Sequence, residues 1–273
     1  MRAKVSPLLE GGWIALPALA VLGGVWAFAR PVINETPTTL AAALALVIGG
    51  WQPLWCALTQ TDWATPLQQW RGWTDNDPLP AWPYLQEGTP GAALHQRLRQ
   101  ARSWWRQVGR MSLAQPLTQS SLGLLVSLLL GAALGRSALL LTAFLLTWAE
   151  LAALWHEGEG QVGMLWQGIA VAGLPWLLGG GLMEGNRMAL TLSALSISLL
   201  VSLYGLRSWW SLLGPGLGAT FLVAQGKAFA AGLLLLFALP GLIALSYRPS
   251  REAHRRLTGP WVLAMVALTA LAL

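Results

Sequence analysis

An all-α, polytopic transmembrane bundle of about eight to nine spans is the fold class this sequence predicts, on three observations. Mean hydropathy is +0.54, and 55% of the 273 residues are hydrophobic against 10% charged. So little polar surface cannot cover a water-soluble globule of this size. Apolar runs recur at close to the length that crosses about 30 Å of hydrocarbon. The basic residues gather between those runs, and the whole of residues 1–273 reads as one membrane domain.

The first run, Gly12–Ala29, follows Arg2 and Lys4 as the core of a signal peptide would. It is longer than such a core, and Arg30-Pro31 follows at once, so it reads as a retained helix. Further runs are Thr38–Leu58, Ser120–Leu134, Ser137–Trp155, Met164–Leu182, Arg187–Leu206, Ala228–Tyr247 and Gly259–Leu273. Trp209–Gly226 is also apolar, but Pro215 and its glycines make it read as a re-entrant or broken segment. The glycines of Gly179-Gly180-Gly181 have no P-loop lysine-serine pattern beside them and read as close helix contacts. Cys56, the single cysteine, lies inside a span, which excludes a disulfide or a thiolate metal cluster within one chain.

Net charge is +6. Arg97, Arg99, Arg102, Arg106 and Arg110 form one cluster, and Arg248, Arg251, Arg255 and Arg256 another. The positive-inside tendency puts both on the cytoplasmic side of an inner membrane, plasma or thylakoid-type, crossed several times. An even number of crossings must then separate the clusters. Five runs do so unless Trp209–Gly226 also crosses. Arginines crowded beside spans answer to anionic headgroups first, so membrane lipids are the expected partners and nucleic acid is not.

Residues 59–119 form a long loop expected on the cytoplasmic side. Its tryptophans Trp63, Trp70, Trp73 and Trp82 are interspersed with Pro66, Pro78, Pro80 and Pro83. That proline density predicts an irregular, aromatic-lined segment. Over 92–108 the spacing of Leu94, Leu98, Ala101, Trp105 and Val108 predicts one face of an amphipathic interfacial helix. Arg99, Arg102 and Arg106 lie opposite or beside that face, as headgroup or partner contacts.

Several short stretches, in order, resemble the UbiA superfamily of intramembrane prenyltransferases. Gln60-Thr61-Asp62 stands where the family has its first aspartate motif, N-D-x-x-D-x-x-x-D, and Asp77-Pro78-Leu79-Pro80 resembles the R-P-L-P that follows it. Gly109-Arg110-Met111-Ser112 resembles the G-R-x-S before the third helix. Leu154-Trp155, Gly163 and Gly173-Leu174-Pro175 look like the connection into the fifth helix and that helix itself. Residues Thr220 to Lys227 resemble the T-L-P-V-x-x-G-K after the second aspartate motif.

The resemblance implies a UbiA-like bundle around a cavity that in the family joins a polyprenyl diphosphate to an acceptor. That reaction needs magnesium held by carboxylates from both motifs. Here only Asp62 remains in the first motif, with Thr61, Thr65 and Gln69 at the other positions. Trp209 and Leu213 replace the aspartates of the second. Where the family offers a cation to the diphosphate, this chain reads His156-Glu157-Gly158-Glu159, which would repel it. No resident metal is expected. Glu150, about a turn and a half from the end of its span, and His156 are further cavity candidates for a proton, pigment or metal.

The expected function is therefore that of a non-catalytic or strongly diverged UbiA-like protein. It would bind an isoprenoid, quinone or pigment, or serve as a structural subunit of a larger membrane complex. An active magnesium-dependent prenyltransferase using Asp62, and a small transporter, are the alternatives.

Overall fold

The structure is a computed structural model and describes residues 15–28, 37–71, 73, 88–154, 166–183, 187–204, 209–247 and 251–273. Those residues are all-helical, with no strand among them. In chain order the helices are α1 (Leu16–Phe28), α2 (Pro37–Thr59), α3 (Ala64–Arg71), α4 (90–112), α5 (Ala114–Leu134) and α6 (Arg136–Leu154). They continue with α7 (166–181), α8 (Arg187–Tyr204), α9 (Leu213–Ala224), α10 (Ala228–Ser246) and α11 (Arg251–Ala272). Five of them, Pro37–Thr59, Ala114–Leu134, Arg136–Ala153, Arg187–Tyr204 and Ala228–Ser246, are long and apolar enough to cross a membrane. Leu16–Phe28, Trp210–Ala224 and Arg256–Ala272 are apolar but shorter.

Two groups of helices meet along a central pair. α2, α5 and α6 pack on one another, while α8, α9, α10 and α11 form the second group. α1 and α7 lie between and touch both, contributing Val21, Leu174 and Leu178 to one core and Leu16, Ala20 and Trp176 to the other. The most intimate crossing is between α1 and α7. A Cβ on Gly24 would strike the Trp176 carbonyl, and one on Gly179 the Val21 carbonyl. Gly180 lies against Phe28 and Leu190. Only residues without side chains let two backbones approach this closely, the device by which helices associate where hydrocarbon offers no hydrophobic drive. The expectation that Gly179 and Gly180 mark close helix contacts is met here, whereas Gly181 faces open space.

Each core also satisfies a buried indole. Trp51, 2% exposed, donates Nε1 to the Thr142 hydroxyl at 3.0 Å, and that hydroxyl donates to the Ala138 carbonyl of its own helix. Trp176, fully buried, donates to Ser193 Oγ at 3.0 Å, which donates to the Leu190 carbonyl. A tryptophan in an apolar core needs such a partner for its N–H.

Several boundaries differ from the sequence reading. The helix expected from Ser120 begins at Ala114, because Pro116 falls in its first turn, where a missing N–H costs nothing. The segment Trp209–Gly226, expected to be re-entrant or broken, holds a continuous apolar helix, Trp210–Ala224, that is shorter than a full span. A 3₁₀ turn at Trp209–Leu212 runs directly into α9, with Pro215 in the first turn and Gly214 and Gly218 packed against Leu200. What the glycines supply there is proximity to α8, and the true break is Gly226 at φ 77°. Lys227 N–H reaches the Leu222 carbonyl and Gly226 N–H that of Val223, a Schellman closure that turns the chain into α10. Gly135, at φ 100°, separates α5 from α6.

Two widened, π-helical turns, Leu46–Trp51 and Ile169–Gly173, were not foreseen. Each precedes a proline by two residues, Pro53 and Pro175. A proline ring collides with the carbonyl four residues back, and the widened turn makes room for it.

The α1–α7 crossing yields a direct expectation. Gly24→Ala and Gly179→Ala should each cost about 1–3 kcal/mol through overpacking, seen as a lower thermal midpoint in detergent. Gly181→Ala, with nothing within 4 Å of the new Cβ, should be neutral or slightly stabilising.

Candidate functional site

The residues of the first motif position stand where α2 ends. The Thr59 hydroxyl bonds the Trp55 carbonyl at 2.8 Å, and Trp63 Nε1 donates to the Ala57 carbonyl at 3.2 Å, folding the chain back over the last turn of α2. Asp62 lies two residues before α3. Its Oδ1 accepts the Thr65 backbone N–H at 3.0 Å, the geometry of a helix N-cap, and Pro66 falls in the first turn. Of the stretch from Trp63 to Pro83 that was expected to be irregular, Ala64–Arg71 is helical, because an early proline is compatible with a helix start, and residues 74–83 lie outside the described residues. Asp62 is exposed, and the Thr65 hydroxyl, then the Thr65 backbone N–H, hold its carboxyl below the usual carboxylate value.

Thr61 is half-buried, and Thr65 and Gln69 are exposed on or beside α3. Leu213 opens α9 and is 40% exposed. The last turns of α2 pack on α5 and α6, while α9 packs on α8 and α10. Trp209 belongs to the 3₁₀ turn before α9. Trp209 and Leu213 therefore stand on either side of a 3₁₀-to-α junction. Glu150 is exposed on α6, on an outward stripe with Phe144, Thr147 and Leu151. His156, with Glu157 and Glu159, lies outside the described residues, as do Trp82 and Asp77–Pro80. Among the described residues no three His, Cys, Asp or Glu side chains gather as a metal site.

The loop tryptophans clamp α3 to α4. Trp73 Nε1 donates to Ser103 Oγ at 3.0 Å, and the Trp70 and Trp104 rings meet edge to face at 5.6 Å. α4 begins earlier than residue 92, at Pro90, where the Thr89 side chain caps the Ala92 N–H at 3.2 Å. It continues past Val108 through a widened turn, where Gly109 admits the Trp105 ring against the backbone. The G-R-x-S glycine thus has a packing reason of its own. Arg102 and Arg106 are exposed, and Arg99 is half-buried and engaged within the fold.

Sequence reasoning missed two buried polar atoms on the α2–α5 pair. Trp55, 2% exposed and one turn before the loop, has an Nε1 with no acceptor among the described residues. Ser127 Oγ, fully buried where Gly50 approaches α5, has none either. An orphaned buried donor costs about 1–3 kcal/mol, so each is a place where an acceptor from outside the chain would be welcome. Nothing in the apolar pattern around Trp55 distinguishes it from Trp51, whose N–H is satisfied.

No protein-family model matches this chain, and no curated protein or solved structure does.

Asp62→Asn keeps an N-cap and should leave amide exchange at Thr65–Leu67 unchanged, whereas Asp62→Ala should accelerate it by the equivalent of about 0.5–1 kcal/mol. In an NMR titration Asp62 should have a midpoint below about 3.9. Thr65→Val should raise it. Since the folded value is the lower one, the capping contribution is complete above the ordinary carboxylate range and is lost as pH falls through the folded value.

Proposed function

We propose that the chain is a UbiA-like intramembrane protein that has given up diphosphate chemistry and acts as a holder of a carbonyl-bearing apolar molecule, an isoprenoid quinone or a pigment. The observation that carries this reading is the Trp55 indole, buried in an apolar core with a donor that the described residues leave unused. A quinone or chlorin carbonyl supplies the missing acceptor and is itself at home among the surrounding leucines and tryptophans.

The first motif supports the loss of chemistry. Asp62 is occupied as a helix cap, and its motif neighbours are hydroxyl and amide side chains. Magnesium wants near-octahedral oxygen coordination, about six ligands, and one exposed carboxylate supplies few of them.

The architecture we assign is nine crossings, α1, α2 and α5 to α11. α9 makes the sixth helix between the two arginine clusters, so an even number separates them and both lie on the cytoplasmic side. The described segments 60–71, 88–113 and 209–212 then share that side too, as a UbiA-like cavity mouth requires.

A second reading, a subunit of a larger membrane complex, draws support from Glu150. An exposed carboxylate on a span costs a few kcal/mol facing lipid and is relieved by a protein neighbour.

Purification in mild detergent followed by mass spectrometry of the organic extract should recover a quinone or pigment near stoichiometry. Trp55→Phe, which keeps an aromatic side chain but removes the indole N–H, should release it without unfolding the protein. The same preparations should transfer no prenyl group. Magnesium-dependent product that disappears in Asp62→Ala would replace this reading with an active prenyltransferase.

A further inference from the structure

α4 leaves an apolar stripe uncovered. Leu94 and Leu98 are each 61% exposed and Trp105 is 38% exposed. Their spacing of four and seven places them on one side of the helix. Along 90–104 the extensive neighbours of α4 are its own continuation, with Trp70 and Trp73 clamped to its Trp104 and Ser103. Among the described residues, no span packs extensively along 90–104. The flanks of that stripe are cationic: Arg97 lies on one edge, Arg102 and Arg106 on the other, and all three are exposed.

Both ends of the α3–α4 arm are fixed by helices long and apolar enough to span. It leaves α2 at Gln60 and reaches α5 through Leu113, which is 4% exposed. An arm returning to its starting level lies at the height of the headgroups. There an apolar stripe flanked by arginines meets acyl chains on one side and phosphates on the other.

We propose that α4 docks in the plane of the leaflet on its own side of the membrane and recognises anionic headgroups through Arg97, Arg102 and Arg106. Arg97 takes the place of Arg99, which is half-buried and engaged within the fold. The inference rests on the membrane reading above and is independent of what the protein holds near Trp55.

The test uses the full chain with Cys56→Ala, reconstituted in vesicles of phosphatidylcholine alone or with phosphatidylglycerol. Single spin labels are placed at Leu98→Cys, at Gln96→Cys on the opposite side of α4, and at Leu125→Cys on the exposed face of α5. In anionic vesicles the Leu98 label should gain oxygen accessibility and lose accessibility to a water-soluble nickel chelate, while the Gln96 label stays in water. Substituting Gln for Arg97, Arg102 and Arg106 together should abolish the difference, since each arginine near an anionic surface contributes roughly fivefold to association. High salt should weaken it. A Leu98 label as water-exposed as Gln96 in anionic vesicles overturns the proposal, and so does one shielded only after a soluble protein extract is added. Equal shielding with phosphatidylcholine alone overturns the anionic specificity. A Leu125 label in water overturns the membrane reading itself, an outcome distinct from failure of the docking.

Discussion

The close approach of α1 and α7 is the constraint on which the rest of the fold depends. α1 reaches both cores through α7, with Val21 on one side and Leu16 and Ala20 on the other. Gly24 and Gly179 bring the two backbones into contact, and a single methyl at either position would strike a carbonyl. Moving α7 away from α1 would also withdraw Trp176 from Ser193 and Leu174 from the α2–α6 core. Between apolar helices, backbone contact and a few satisfied polar groups decide geometry, because burial of leucine against leucine is as well served by lipid.

The polar groups follow from the same economy. Trp51 and Trp176 each hand their N–H to a hydroxyl, and the hydroxyl passes its own proton to a carbonyl one turn back. Ser198 and Ser202 bond carbonyls of α8 while presenting that helix to Gly173 and Gly168 of α7. Against this background Trp55 stands out. It is as buried as Trp51, on the same helix, yet the described residues give its donor nothing. That contrast, more than any sequence motif, points to the C-terminal end of α2 as the place to look for a ligand.

The all-helical class and the five long apolar helices were legible because apolar length can be read directly along the sequence. The glycine contacts of Gly179 and Gly180 were legible for a similar reason, since nothing else explains adjacent glycines in an apolar helix. Other features depend on relations that periodicity does not contain. The widened turns before Pro53 and Pro175, and the continuity of α9 through Pro215, depend on where each proline falls relative to a helix start. The role of Asp62 as a cap depends on its distance to Thr65. Arg97 and Arg99 are two residues apart and identical in type, and only the folded helix separates an exposed side chain from a half-buried one.

The central claim is that the remnants of both motif positions share one mouth of a UbiA-like bundle, and a single distance tests it most directly. With Cys56→Ala as background, paired spin labels at Thr61→Cys and Leu213→Cys can be measured by pulsed dipolar spectroscopy in lipid nanodiscs. If α9 crosses and the two segments lie on one side, the distance will fall well below the hydrocarbon thickness of about 30 Å. A distribution centred at or beyond that thickness would place the segments on opposite faces of the membrane and contradict both the nine-crossing arrangement and the UbiA-like assignment.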